Sequence, residues 1–431
     1  MRPGPADAIL TGRASHMARN SPEVRHEPPR LVSILSLLAS VLLLTAGTNL
    51  QGVLLPIRRQ MEGSGTQQIG LLSSGWSFGF VLACLVVGRM VSAVGHVRSF
   101  AGLAAISAAA ALLLLPLNTT PDWIVLRVVI GFCFGGLSMI IESWLNERSS
   151  DDHRGGIFAA YMTVTLLASL AGTLSLTFFD PMQDLPYTVM AIAVVLAIVP
   201  VTLVRSPIPA PLERFSINLR ALYRISPSGV FGCFAVGLVS GAMGGLLPAY
   251  GLSLGLSHHG VAAVLAAALV GGALAYYPAG RISDRVDRRA VVIVLATLSA
   301  ALCLPLGLRP HLSQQAAIIL IGAFGFTQYP LYGVCVAMTN DRAREQSFSQ
   351  VASELLAIYG TGTILGPPLA AALMRQAPRY LFLFMGGVLL VQAGFTAART
   401  WRKSRTPQHL KQRSHPLVTA PNSMQVFRPG E

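Results

Sequence analysis

The chain has 431 residues, 53% of them hydrophobic and only 12% charged, and its mean hydropathy is +0.59. Soluble domains carry roughly 25% charged residues, so a water-soluble fold of this composition would expose more apolar surface than a monomer keeps in solution; lipid is the expected solvent. A net charge of +14 would suit nucleic acid, but the basic residues are sorted by membrane side rather than gathered on one face, and no nucleic-acid partner is expected.

Residues 1–30 are polar and Pro-containing, with RPGPAD and SPEVRHEPPR. They read as a disordered tail and lack the apolar h-region of a cleaved signal. A hydrocarbon core about 30 Å thick takes roughly 20 apolar residues per helix, and twelve such windows follow. They run at about 31–55, 68–92, 99–117, 122–145, 156–178 and 186–204, then 229–252, 260–280, 290–307, 314–338, 349–374 and 380–398. None shows the two-residue alternation of a transmembrane barrel, and their Gly and Ala content suits close helix packing in lipid. The expected architecture is an all-α integral membrane protein. Its six-helix bundles cover 31–204 and 229–398, joined by a basic connector at 205–228 and followed by a tail at 399–431.

With both termini placed inside, five basic residues fall in outer loops: Arg58, Arg59, Arg309, Arg375 and Arg379. Arg127 lies within a helix, and the rest of the 32 Lys and Arg lie on the inner side. This positive-inside asymmetry assigns the termini and the connector to the cytoplasm. The five cysteines all fall within expected helices and form no CxxC pair, so they read as small packing residues. No Walker A sequence, HExxH or Cys/His metal spacing is present. No cofactor or metal is expected, and no ATP hydrolysis.

The two halves repeat each other. Gly52-Val53-Leu54-Leu55-Pro56 returns as Gly244-Gly245-Leu246-Leu247-Pro248, 192 residues on, and Gly88 returns as Gly280 at the same offset. Asn146-Glu147-Arg148 returns as Asn340-Asp341-Arg342 at an offset of 194. Six spans per repeat keep both halves in the same orientation, the pattern of parallel repeats about an axis along the membrane normal.

On these features the chain resembles the major facilitator superfamily of secondary transporters over roughly residues 30–400. That family's loop motif, G-x-x-x-D-R-x-G-R-[RK], is matched in GRISDRVDRR by Gly280, Asp284, Arg285, Arg288 and Arg289, with Asp287 in place of the second glycine. The first-half copy keeps Gly88, Gly95 and a displaced Arg98, but has Ser92 and Ala93 where the Asp-Arg pair belongs. The helix-four motif R-x-x-x-G-x-x-x-G appears as Arg127, Gly131 and Gly135. The stretch IESWLNERSSDDHRGGIFAAYMTV resembles a bacterial subgroup of unassigned substrate. The resemblance implies two pseudo-symmetric six-helix bundles in a bacterial inner membrane and a transport function. It also implies a cytoplasmic gate in which Asp284 meets the start of helix five, near His153-Arg154-Gly155-Gly156, when that side is closed. The bland alternative is a topology anchor only.

A carrier of this kind binds its solute near the midplane between the halves, and charge at that depth marks function by default. Three such charges stand out. Arg127 either snorkels to the outer interface or faces protein; Gly131 and Gly135 on the same stripe favour the second. Glu142 is either a solvated helix end or a carboxylate at the cavity mouth, and Glu354 either a proton carrier or a structural acid. Gly360-Thr361-Gly362-Thr363 and Gly366-Pro367 resemble a stretch that antiporters carry on helix five, here found on helix eleven. The uncharged candidates for the cavity are Asn49, Gln51, Trp76, Tyr161, Gln328, Tyr329, Tyr332 and Tyr359.

The sequence-based expectation is therefore a monomeric carrier whose partners are a small-molecule substrate, protons and the lipid bilayer. The substrate is expected to be neutral or amphiphilic, and proton-coupled efflux is favoured over uptake. A membrane enzyme would need a catalytic cluster at depth, where only scattered acids occur. A non-transporting receptor on the same fold is the remaining alternative.

Overall fold

A computed structural model describes residues 31–147, 154–202, 219–309, 312–343 and 348–403. Its first half holds α1 (Ile34–Met61), α2 (Thr66–Val94), α3 (His96–Leu113), α4 (Thr120–Leu145), α5 (Gly156–Phe178) and α6 (Leu185–Thr202). The second half holds α7 (Pro227–Ser253), α8 (His258–Arg285), α9 (Arg288–Leu308), α10 (Gln314–Asn340), α11 (Gln350–Met374) and α12 (Tyr380–Trp401). Every expected window falls on a helix over its described residues, with α3 ending at Leu113, short of the expected 117. Both tails, most of the connector, and the 148–153 segment with His153 lie outside the described residues. Twelve crossings bring Ile34 and Trp401 to one end of the bundle, hereafter the terminal end. The turn at 62–65 marks the far end.

Local chemistry sets the helix limits. α1 runs past its expected end because Arg58 and Arg59 reach Glu62 at 2.8 and 2.9 Å and sit over the rings of Tyr187 and Trp123. Cations in a last turn also meet the negative end of the helix dipole. Ser257 caps α8 and Ser313 caps α10, their hydroxyls accepting from the Gly260 and Ala316 N–H groups. Such caps satisfy donors that have no partner inside the helix. Prolines within α1, α7 and α11 are tolerated because neighbouring helices can re-satisfy the freed carbonyls.

Each half has its own buried apolar cluster, and the same close contacts build both. A Cβ on Gly131 would run into the carbonyl oxygen of Trp76, so α4 and α2 approach backbone to backbone. One repeat later, a Cβ on Gly325 would meet the carbonyl oxygen of Ala268 between α10 and α8. Gly79 against Val128 returns as Gly271 against Gly322, and Gly172 against Ala46 as Gly366 against Leu238. In lipid, where apolar burial drives no association, such approach lets dispersion and polar contacts hold helices together.

The halves meet closely at the far end. Three hydrogen bonds cross there from α2 to α11: Ser74 to the Ile364 carbonyl at 2.6 Å, and Gln67 and Thr66 to the Pro368 and Ala371 carbonyls at 3.4 Å. Ile69 of α2 is part of the second half's core, and a third apolar cluster joins Leu54 and Ile57 of α1 to Val261 and Ala262 of α8.

Candidate functional site

Between the halves lies a cavity of about 310 Å³, and beside it a second of about 250 Å³. They share Asn49, Gly52, Ser240, Gly244 and Tyr359 as lining residues. Small-molecule sites have volumes of this order. From Ser73, at the far-end seal, the lining of the larger cavity reaches Leu85 on the same helix. The twelve residue steps between them cover about 18 Å of helix axis, directed toward the terminal end.

The first-half wall is built around Arg127. α4 buries its guanidinium, leaving the residue 7% exposed. Nη1 donates to Gln51 Oε1 of α1 at 2.9 Å, and Nε lies 3.5 Å from the Leu72 carbonyl of α2. The guanidinium carbon is 6.0 Å from the centre of the Trp76 ring, whose other neighbours are Phe80 at 5.5 Å, stacked, and Phe134 at 5.7 Å. Arg127 and all three rings line the larger cavity. Of the two readings left open, Arg127 takes the one that faces protein. Asn49 also faces the cavity and bonds the Thr45 carbonyl and Ser169.

The second-half wall is aromatic and amide. Gln328 donates to Ser240 at 2.9 Å. Tyr332 and Tyr359 pack with ring centres 4.8 Å apart. Tyr329 fills the space beside Gly272, where a Cβ would strike its ring. Pro330 follows it and interrupts the helix at Tyr329, which nonetheless keeps helical angles. All four candidates on this side line one or both cavities.

Two expected cavity residues sit elsewhere. Gln51 is buried behind Arg127 as its hydrogen-bond partner rather than on the cavity wall. Tyr161 points its hydroxyl at Glu142, donating at 2.9 Å. α5 thus pairs it with the carboxylate rather than the solute space. Glu142 and Glu354 are both buried, on α4 and α11, and neither lines either of these two cavities. Gln350 donates to Glu354 from one turn away at 3.3 Å.

At the terminal end, Arg288 bridges two carboxylates, Asp284 at 3.2 Å and Asp341 at 3.0 Å. Asp284 is thus engaged within its own half. Of its expected partner segment at the start of helix five, His153 lies outside the described residues. Asp287, which replaces the motif's second glycine, caps α9 by accepting from the Arg289 N–H at 3.0 Å. Its first-half counterpart, Gly95, turns instead with φ +93°, where a side chain would be strained. Arg98 and Arg285 are exposed, and Gly88 and Gly280 are partly so. Burial, and the charge of nearby Arg289, hold Arg342 below the usual arginine range.

Sequence reasoning missed Phe80, Phe134 and Ser240 on the cavity wall. In an apolar helix they carry no signal that separates a cavity face from a packed one. Gly52 and Gly244 were found only as repeat markers; both face open space in the cavities. The site offers hydrogen-bond donors, one buried cation and aromatic faces, which is the equipment of a binding chamber.

The sequence profile of the Major Facilitator Superfamily matches residues 37–227 and 229–429. An uncharacterized MFS-type transporter of Enterobacter sp. (strain 638) is 28% identical over 364 residues, covering 83% of this chain and 93% of that protein. The uncharacterized MFS-type transporter YcaD of Salmonella typhi is 27% identical over 368 residues, with the same coverage. Among solved structures, the nucleoside transporter NupG superposes with a TM-score of 0.69 at 12% identity, covering 86% of this chain and 98% of that one. A bacterial homolog of the human lysosomal transporter Spinster, in an inward-facing and unoccupied conformation, also gives 0.69, at 14% identity and covering 88% and 99%. At such identities the likeness is one of fold.

Proposed function

The chain belongs to the Major Facilitator Superfamily, a family of transporters rather than enzymes, and from that multi-pass membrane architecture we propose that it exports a small amphiphilic solute in exchange for protons. The observation that carries this reading is the chamber between the halves, closed at the far end by α2 and α11 and extending toward the terminal end. In the topology read from the basic residues, the terminal end is cytoplasmic. The chamber then faces the cytoplasm, ready to load a solute for release on the other side.

Alternating access requires the far-end seal to open while the terminal end closes, and a ligand shifts that balance only through contacts that differ between the two states. The α2–α11 bonds are such contacts. Asp284 supplies the opposite set: on leaving Arg288 it can turn to the positive N-terminal end of α5. Coupling is assigned to Glu142 and Glu354, buried carboxylates on opposite halves toward the terminal side of the chamber. A carboxyl moved between water and protein in a conformational cycle takes up and releases a proton. The mostly apolar chamber suits an amphiphile, as expected from the sequence.

The test uses proteoliposomes loaded with pyranine, a dye that reports lumenal pH. Adding amphiphilic compounds outside should alkalinise the lumen, relative to protein-free liposomes, as solute enters against leaving protons. Acidification beyond that of protein-free liposomes would indicate symport and so contradict the export reading. A silent lumen across a broad panel would contradict proton-coupled transport.

A further inference from the structure

Among the described residues, the Arg127 guanidinium has no carboxylate partner. The ion pairs among the described residues join Arg58 and Arg59 to Glu62, and Arg288 to Asp284 and Asp341. On its own helix, Asp122 lies five residues before it in the first turn and accepts from the Thr119 hydroxyl, and Glu142 is fifteen residues after it, about 22 Å along the axis. Gln51 and the Leu72 carbonyl use two of its N–H groups, and a guanidinium carries more donors than that. A buried cation in a membrane segment is costly and is normally paired or turned to a water-filled cavity. Arg127 is buried and lines the larger cavity.

Packing does not require this charge. One repeat later, the positions equivalent to Arg127, Gln51 and Trp76 are Ile321, Met243 and Ala268, all buried. The same glycine contacts between the paired helices form there without any polar group. The Arg127–Gln51–Trp76 set is therefore an addition to the first half rather than part of the shared scaffold.

Deepening the transporter reading, on which this step rests, we infer that the chamber takes an organic monoanion, its carboxylate on Arg127 and its apolar or aromatic body against Trp76, Phe80 and Phe134. Arginine meets a carboxylate through parallel N–H donors, a strong and directional contact. Gln51 holds the guanidinium from behind, which fixes the orientation of the remaining donors. The three rings, 5.5 and 5.7 Å from one another through Trp76, form a continuous apolar face beside the cation. A dicarboxylate would find no second cation among the residues that line the two cavities.

The test compares acids with their matching primary amides: phenylbutyrate, indolebutyrate and octanoate, each against the full-length protein in nanodiscs at pH well above the carboxylate range. Binding is read as the rise in melting temperature with ligand concentration. The acids should bind at least about tenfold more tightly than the amides, the scale of a hydrogen bond to a charged group. Arg127→Gln should reduce that ratio to within about twofold, and Arg127→Lys should retain part of it. Amides that bind as tightly as acids would overturn the inference and leave the transporter reading standing. Discrimination that persists in Arg127→Gln would also overturn it. Should Arg127→Gln fail to fold, the acid-to-amide ratio of the unaltered protein decides alone. Absence of binding by either series would also remove the inference, whereas the transporter reading is judged separately by the pyranine assay.

Discussion

Where α2 meets α4, Gly131 faces the Trp76 carbonyl and Gly79 that of Val128; where α8 meets α10, Gly325 faces that of Ala268 and Gly271 that of Gly322. The backbone contacts are duplicated position for position, while the side chains turned to the chamber are not. The first half presents a buried arginine on an aromatic face, and the second presents Gln328, Tyr329, Tyr332 and Tyr359. Duplication fixed how helices pack, and divergence supplied what the chamber recognises. The halves differ at the terminal end too, where Arg288 and Asp284 form an ion pair in one and His96 and Ser92 stand at the same positions in the other.

The largest effect should come from breaking the shared packing. Gly131→Leu and Gly325→Leu each drive a side chain into an opposing backbone, and overpacking of this kind costs about 3 kcal/mol or more. Both variants should lose folded protein to a similar degree on thermal melting in detergent. By contrast, Gly52→Ala and Gly244→Ala project into open space and should leave stability within about 0.5 kcal/mol. A half that tolerates its leucine would show that the two interfaces are not equivalent.

Next in size is the conversion of first-half chemistry to second-half chemistry. Arg127→Ile with Gln51→Met should keep the melting temperature and lower transport about tenfold or more, the loss of a hydrogen bond to a charged group. Wild-type transport in this pair would remove the arginine from the account. Glu354→Gln and Glu142→Gln sharpen the comparison at the acids. Each should abolish proton flux in the pyranine assay while solute-for-solute exchange continues; intact proton flux would strike that residue from the coupling role. Smaller still is Asp284→Asn, which removes a pair to Arg288 that is partly exposed and so contributes at most about 1 kcal/mol. Its expected signature is a change in the balance of conformers rather than in melting. Smallest is Gln328→Leu, which breaks the bond to Ser240 and should cost about 0.6 kcal/mol, the average for such bonds between membrane helices.

The spans were legible because lipid imposes one requirement on every crossing helix: a long apolar run with internally satisfied backbone. The duplicated glycines were legible for a related reason, since only the absence of a side chain permits the approach at Gly131 and Gly325. Arg127 stood out as a charge where charge is expensive. Phe80 and Phe134 did not, because an aromatic residue on an apolar helix can face lipid, core or cavity with the same sequence signature. Tyr161 was assigned to the chamber on polarity alone. Its hydroxyl is instead taken by Glu142 on a neighbouring helix, a pairing nineteen residues apart that depends on helix rotation. Asp284 shows the converse. Its partner Arg288 is only four residues on, but the pair spans the turn from α8 to α9 rather than one helix, so helical spacing gave no sign of it.

The most direct test of alternating access around this chamber measures distances at both ends at once. Spin labels at Gln68 and Gln376 report the far end, and labels at Ala93 and Arg285 the terminal end, all four positions being exposed. In nanodiscs, pulsed electron resonance should find two distance populations for each pair. A change of pH or addition of an aryl carboxylate should shift the two pairs in opposite directions, with a shortened far-end distance accompanying a lengthened terminal-end one. A single distance at each end, unmoved by either, would contradict the account.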